Sequence, residues 1–426
     1  MLIRFEVSNF RSIAAPVELT MVAVDQDRPA AREQSMLGES LLPVAAIYGP
    51  NASGKSNLIA AVAWLQQAVQ YSLQTWEDVI PVEPFAFGAW PGEASEFAIE
   101  YMVEGVRFEY SLILDRKSVQ YEGLFHYPEK KRRRVFEREG SELKFQRGLG
   151  GLSGTRELLT ERTLALSAAR RFDARVVSDF ARKIIEISVL SPRTRYSRKL
   201  RGNPMLYMDG RRVRVRRRPA LLTEYWFQEG LQPSLFSDDE LGGSDRQRAL
   251  ALLRLADLGI DDVIVESDEN GVEQVRLIHN TTAGRVPFDF GVESEGTRTW
   301  FELIGPVLTA LREGATVLFD ELDASLHPTL SAQLIDLFHD PATNPRGAQL
   351  VFTSHDTSLL NHLNRDEVWL TEKNPDGSTR LGALADFAGE RVRKSQNLEN
   401  AYLHGRFGAL PQVDQSELLR ALGLIG

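Results

Sequence analysis

Eight residues constrain this chain more than any others. Gly49-Pro50-Asn51-Ala52-Ser53-Gly54-Lys55-Ser56 is a complete GxxxxGK[ST] pattern. It follows Val44-Ala45-Ala46-Ile47-Tyr48, an apolar run of the kind a strand buried on both faces requires. It precedes Asn57–Val69, where Leu58, Val62, Leu65 and Val69 fall on one helical stripe. Glycines in such a turn let successive backbone N–H groups curl around phosphate oxygens. Lys55 brings positive charge to the β- and γ-phosphates, and the Ser56 hydroxyl can take Mg²⁺. The following helix points its positive end at the same place. The order predicts a phosphate-binding site inside an α/β protein.

The surrounding chain fits that frame. At ~150 residues per domain, 426 residues predict two or three domains. No run approaches the ~18 apolar residues of a membrane helix, so no membrane association is expected. The opening MLIRFEVSNFRSI alternates polar and apolar residues, which is a strand pattern and not a secretory leader. The absence of cysteine excludes disulfides, thiolate zinc sites and a cysteine nucleophile, and a cytoplasmic location is expected. Residues 97–114 read as a hairpin turning at Glu104-Gly105, 117–147 as further β pieces, 155–190 as helical and 191–245 as irregular. Helices are then predicted at 248–258, 298–312 and 329–338, strands across 261–290, and buried strands at 316–319, 349–353 and 367–371. Strands alternating with helices predict a mostly parallel sheet whose parts lie before about 75 and after about 250. The expected segments are 1–115, a basic insertion at 116–246, and 247–426.

Three further clusters bear on chemistry. Thr316-Val317-Leu318-Phe319 ends in Asp320-Glu321. Behind a phosphate loop, Asp320 would hold Mg²⁺ through water and Glu321 would orient an attacking water. Phe352-Thr353-Ser354 ends in His355, one crossover helix later, where a parallel neighbouring strand could carry the imidazole to a γ-phosphate. Glu293-Ser294-Glu295-Gly296-Thr297 precedes a helix; Ser294 there reads equally as a simple N-cap.

This combination resembles the ABC-type ATPase heads shared by SMC, RecF and OLD proteins. Asn9-Phe10-Arg11-Ser12 is similar to their N-terminal segment, Ser294-x-Gly296 to the signature, Leu322–His327 to the D-loop, and His355 to the switch histidine. The stretches GPNASGKSNL, TLALSAARRFD, VESEGTRTWFELIGPVL, DELDASLHP, QLVFTSHDTSLL and AYLHGRFGALP are similar to the bacterial AAA15 group, with its RloA- and AbiLi-like defence ATPases, to which PtuA is related. The signature departs from the LSGGQ form by lacking its second glycine. The resemblance implies an ABC/SMC-type head with a split α/β core and an N-terminal antiparallel β subdomain. It implies ATP and Mg²⁺ as ligands, with Gly49 to Asn57 and Arg11 at the nucleotide. Lys55, Glu321 and His355 would be catalytic, Ser56 and Asp320 at the metal. Ser294, Gly296, Thr297 and Asp323 would act on the nucleotide of a second head, so a homodimer or higher homo-oligomer is expected.

Charge is distributed unevenly. The net value is −9, yet residues 111–220 hold 28 Lys and Arg against 12 Asp and Glu, a balance of +16 that leaves −25 on the rest. The densest run is Arg211, Arg212, Arg214, Arg216, Arg217 and Arg218. Such a run suits DNA or RNA phosphates, an acidic partner protein, or acidic faces of the same chain such as Asp238-Asp239-Glu240. The 71 residues after His355 are too few for the Toprim nuclease that OLD proteins carry, so an effector, nuclease or toxin, is expected on a separate chain. The expected role is the ATP-driven sensor of an anti-phage complex. A RecF-like DNA-repair clamp and an ATP-dependent scaffold with negligible turnover are the alternatives.

Overall fold

The structure, a computed structural model, describes residues 1–149, 154–172, 174–190, 205–208, 211–214, 220–227, 245–267, 273–282, 284–324, 326–387 and 398–404. The N-terminal stretch gives β1 (Leu2–Ser8), β2 (Val17–Thr20), the small hairpin β3 (Arg32–Gln34) and β4 (Glu39–Leu41), β5 (Val44–Tyr48) and helix α1 (Lys55–Thr75). Five strands follow: β6 (Ser95–Val103), β7 (Val106–Leu114), β8 (Val119–His126), β9 (Arg133–Glu139) and β10 (Glu142–Phe145). Next come α2 (Thr155–Leu158), α3 (Ala165–Ala169), α4 (Arg175–Ile185), β11 (Ser188–Leu190), the hairpin β12 (Met205–Met208) and β13 (Arg211–Arg214), α5 (Ala220–Phe227) and α6 (Asp245–Ala256). The remainder is β14 (Ile260–Ser267), β15 (Glu273–Thr281), β16 (Gly284–Asp289), α7 (Glu295–Glu313), β17 (Thr316–Phe319), α8 (Pro328–His339), β18 (Gln349–Thr353), β19 (Val368–Lys373), β20 (Thr379–Ala383), α9 (Leu384–Phe387) and α10 (Leu398–Leu403).

The split α/β core is present. Its six-stranded sheet runs β11-β17-β18-β5-β19-β20, parallel except for the last strand, and joins strands from both ends of the chain. All five residues of β5 are buried, as a central strand covered on both faces must be. Ala45 and Ile47 pack toward α1, α3 and α4; Val44, Ala46 and Tyr48 pack toward α7 and α8. The expected stripe of α1 is the buried one: Leu58, Val62, Leu65 and Val69 all face the first cluster.

The antiparallel subdomain is a seven-stranded sheet, β10-β9-β8-β7-β6-β1-β2. It stacks on the core through buried polar ties as well as apolar packing. Gln349 on β18 donates to the Leu2 and Leu42 carbonyls at 2.9 and 3.0 Å, and Tyr101 on β6 bonds Thr316 on β17.

Two expectations need adjustment. The boundary placed at 115/116 runs through this sheet, because β7 and β8 pair from Phe108↔His126 to Leu114↔Val119 and bury Leu112, Leu114, Val119 and Leu124 together. Further on, β11 belongs to the core sheet, and the stretch expected to be irregular contains a hairpin and α5. The distant pairing of β11 with β17 extends the core sheet into a stretch read as helical, while the hairpin and α5 are local elements that the Gly/Pro punctuation masked.

Candidate functional site

The phosphate loop joins β5 to α1, and its shape depends on residues brought in from β19 and β20. Gly49 (φ +151°) lies so close to Thr371 that a Cβ would collide with that residue's Oγ1 and carbonyl oxygen. Gly54 (φ +105°) lies against Thr379 in the same way, with Ser12 Oγ 2.9 Å from where a Cβ would stand. Only glycine fits either place. Ser53 Oγ and Thr371 Oγ1 bond at 2.6 Å, and Thr379 Oγ1 donates to the Ser53 carbonyl at 2.9 Å. Ser12 bonds Thr379 Oγ1 at 2.7 Å and accepts from Asn57 Nδ2 at 2.6 Å. Ala52, at φ +64°, completes the curl.

This network explains the Asn9–Ser12 segment. Buried Asn9 (φ +50°) donates to the Trp90, Glu93 and Ala94 carbonyls and so fixes the turn that delivers Ser12. Arg11 sits beside it, exposed, its guanidinium on Glu83 at 3.1 Å. Asn57 joins the loop through Ser12 and through its own N–H to the Gly54 carbonyl, whereas the backbone and side-chain bonds of Arg11 both go to Glu83 and not to the loop. Thr371 and Thr379 are floor residues that no sequence motif marked, placed by the strand pairing of β19 and β20; Ser12 comes from the Asn9–Ser12 motif.

Lys55 is buried, and its Nζ donates to the Gly49 and Pro50 carbonyls at 2.7 and 3.1 Å. Burial lowers its pKa to about 8, against the raising pull of Asp323, Asp320 and Glu321. Asp320 is 8% exposed; its Oδ1 accepts from Thr353 Oγ1 at 2.8 Å, and Thr353 Oγ1 in turn accepts from the Glu321 N–H at 2.7 Å. Parallel pairing of β17 with β18, Phe319↔Phe352, brings these strand ends together. Glu321 has φ +59°, a left-handed backbone that side-chain residues rarely adopt. The His355 N–H donates to Asp323 Oδ1 at 3.1 Å. Burial and the charge of Lys55 lower the imidazole pKa despite Asp323, Glu321 and Asp320, so the ring is held neutral.

The donor set fits Mg²⁺ carried by a phosphate. Ser56 offers a hydroxyl and Asp320 a carboxylate, while no group of three His, Asp or Glu among the described residues could hold a metal alone. The remaining ligands would have to be phosphate oxygens and water.

Ser294 caps α7, accepting from the Thr297 N–H at 3.1 Å and bonding its hydroxyl at 2.9 Å. A Cβ on Gly296 would meet nothing nearer than Ser294 Oγ at 3.8 Å. These bonds stay within the turn and do not reach the phosphate loop of the same chain. Asp323 lies in a short 3₁₀ turn after β17. Arg211, Arg212 and Arg214 lie on β13, and Arg216, Arg217 and Arg218 fall outside the described residues. The other basic run is largely neutralised: Arg132, Arg133 and Arg134 pair with Glu109, Glu129 and Glu137 at 2.9, 3.4 and 3.1 Å.

A parallel sheet with a phosphate loop on its central strand, and carboxylates and a histidine on the adjoining strand ends, defines a P-loop nucleotide-binding domain. The family described as "AAA domain, putative AbiEii toxin, Type IV TA system" matches residues 44–361, and the chain belongs to it. No curated protein matches. Solved structures similar to the chain include an Smc head bound to the C-terminal winged-helix domain of ScpA, at 14% identity and TM-score 0.43 over 90% of this chain and 97% of that one. Another is the SMC head of Thermotoga maritima, at 11% and 0.40 over 90% and 98%. A third is an Smc head with an extended coiled coil bound to the C-terminal domain of ScpA derived from Pyrococcus furiosus, at 14% and 0.44 over 90% and 97%. Among the described residues no helix is long and apolar enough to cross a membrane.

Proposed function

We propose that the chain is an ATP-hydrolysing ABC-type ATPase of the RloA/AbiLi-like AAA15 kind. It works as a homodimer through its heads and as the sensor of an anti-phage complex whose effector is a separate nuclease or toxin chain. The observation that carries the reading is the phosphate loop on β5 with Lys55 buried in it, beside parallel strands β18 and β17 whose ends carry Asp320, Glu321 and His355 and are tied together through Thr353. Loop N–H groups and Lys55 bind the triphosphate; Ser56 and Asp320 would hold Mg²⁺, which supplies charge neutralisation at the phosphates when bound. Glu321 orients the attacking water, and neutral His355 donates to or accepts from the γ-phosphate side.

The room over Gly296 favours action in trans, since among the described residues only Ser294 Oγ, at 3.8 Å, would meet a side chain there. A partner's γ-phosphate approaching the α7 N-terminus would need that room. The defence role draws on the family's association with AbiEii toxins of type IV systems. Steady-state turnover with and without Glu321→Gln tests the reading. The variant should bind ATP, dimerise and lose hydrolysis; unchanged turnover removes Glu321 from the mechanism, and ATP-dependent assembly with no wild-type hydrolysis leaves the scaffold reading.

A further inference from the structure

In the core sheet β5 lies between β18 and β19. Asp320, Glu321 and His355 all follow strands on the β17–β18 flank. A nucleotide with its terminal phosphate toward them extends its ribose and base toward the opposite flank, β19–β20. On that flank Thr379 packs on Gly54, with its N–H donating to the Ser12 carbonyl at 2.7 Å. Two residues earlier Gly377 (φ +84°) turns the chain, and a Cβ there would stand 3.5 Å from the ring of Phe87.

Phe87 is 61% exposed, although its neighbour Phe85 is buried and meets it edge-on at 5.4 Å and 76°. The segment carrying it is fixed from below. The Phe85 N–H donates to Asn9 Oδ1 at 2.9 Å, and the Arg11 N–H to the Glu83 carbonyl at 2.7 Å. A large apolar ring is thus held facing solvent next to the Gly377 turn that leads to Thr379, on the β19–β20 flank toward which the base would extend.

We propose that Phe87 is the platform on which the base of the bound nucleoside triphosphate stacks. The inference rests on reading residues 49–56 as a nucleotide loop. A bare aromatic face recognises the π-face of a base and not its edge, so Phe87 adds affinity for purine nucleotides without choosing between ATP and GTP.

Equilibrium binding of ATP, GTP and inorganic tripolyphosphate to the full chain tests this. Phe87→Ala should weaken ATP and GTP by about tenfold, leave tripolyphosphate within about twofold, and be rescued by Phe87→Trp. Unchanged ATP affinity in Phe87→Ala overturns the proposal. An equal loss for tripolyphosphate also overturns it, because the ring would then support the loop and not the base. A wild-type chain that binds neither ATP nor tripolyphosphate removes the nucleotide-loop reading and this inference with it.

Discussion

Thr353 joins both acidic residues of the site: its hydroxyl donates to Asp320 at 2.8 Å and accepts from the Glu321 backbone at 2.7 Å. One side chain on β18 therefore fixes the buried carboxylate and the start of the unusual Glu321 backbone. Thr353→Val keeps the shape and strand preference but removes both bonds. It should cost about 1–3 kcal/mol in denaturant unfolding, because Asp320 and the Glu321 N–H lose their buried partner. ATP turnover should fall by more than about tenfold, while Thr353→Ser retains it. Wild-type turnover in Thr353→Val would show that Asp320 and Glu321 are positioned without it.

The left-handed backbone of Glu321 separates catalysis from stability. Removing the side chain as Glu321→Ala or Glu321→Gly should abolish turnover equally. Glycine adopts φ +59° without steric cost, so Glu321→Gly should be more stable than Glu321→Ala by about 1 kcal/mol. Paired thermal and chemical unfolding measures this difference; equal stability would mean that the strain is relieved elsewhere.

These residues also mark how far the sequence could be read. Lys55, Asp320, Glu321 and His355 were legible because each is a chemically distinctive residue at the end of an apolar run, and strand ends of a parallel sheet meet at one edge. Thr371 and Thr379 were not, and Ser12 was legible only as part of the Asn9–Ser12 motif, without its contact to the loop. They are ordinary residues placed against Gly49 and Gly54 by bonds between positions 318 to 367 residues apart. The segment boundary at 115/116 failed to anticipate the seven-stranded sheet because alternation identifies a strand but not its neighbour. Ser294 carries both of its readings still: it is an N-cap, and its glycine neighbour is open to a second head.

A buried charge network ties the N-terminal strap to the core and predicts a pH dependence. Glu367, fully buried, accepts from His339 Nε2 at 3.0 Å, Arg28 at 3.2 Å and the Asn364 N–H at 2.8 Å, beside Asp366 on the same Arg28. Burial alone would raise its pKa, but the His339 bond and the charges of His339 and Arg28 outweigh it and hold the value below 4.5. Between the two values the unfolded chain binds more protons than the folded one. The contribution of Glu367 is therefore complete above pH 4.5 and lost as pH falls through its lower folded value. Glu367→Gln should cost about 1–3 kcal/mol at pH 7, and the gap from wild type should narrow below that threshold. Urea unfolding of both proteins at pH 7 and pH 4 measures it; a gap independent of pH excludes the linkage.

The arginines of β13 give the last test, directed at the charge asymmetry of the chain. Arg211 and Arg214 pair in register with Met208 and Met205, so the hairpin carries three arginines within four residues. If a nucleic acid is the partner, reversing Arg211, Arg212 and Arg214 to Glu should weaken DNA or RNA binding. It should also reduce the slope of log affinity against log salt by about 0.9 for each duplex-DNA phosphate that the variant no longer neutralises. ATP binding should be unchanged if the insertion and the phosphate loop serve separate ligands. Wild-type protein that binds neither DNA nor RNA at low salt eliminates the nucleic acid and leaves an acidic partner protein or acidic faces of the same chain as the ligand of the insertion. Pull-down by an acidic partner that the triple reversal abolishes would then establish the partner protein.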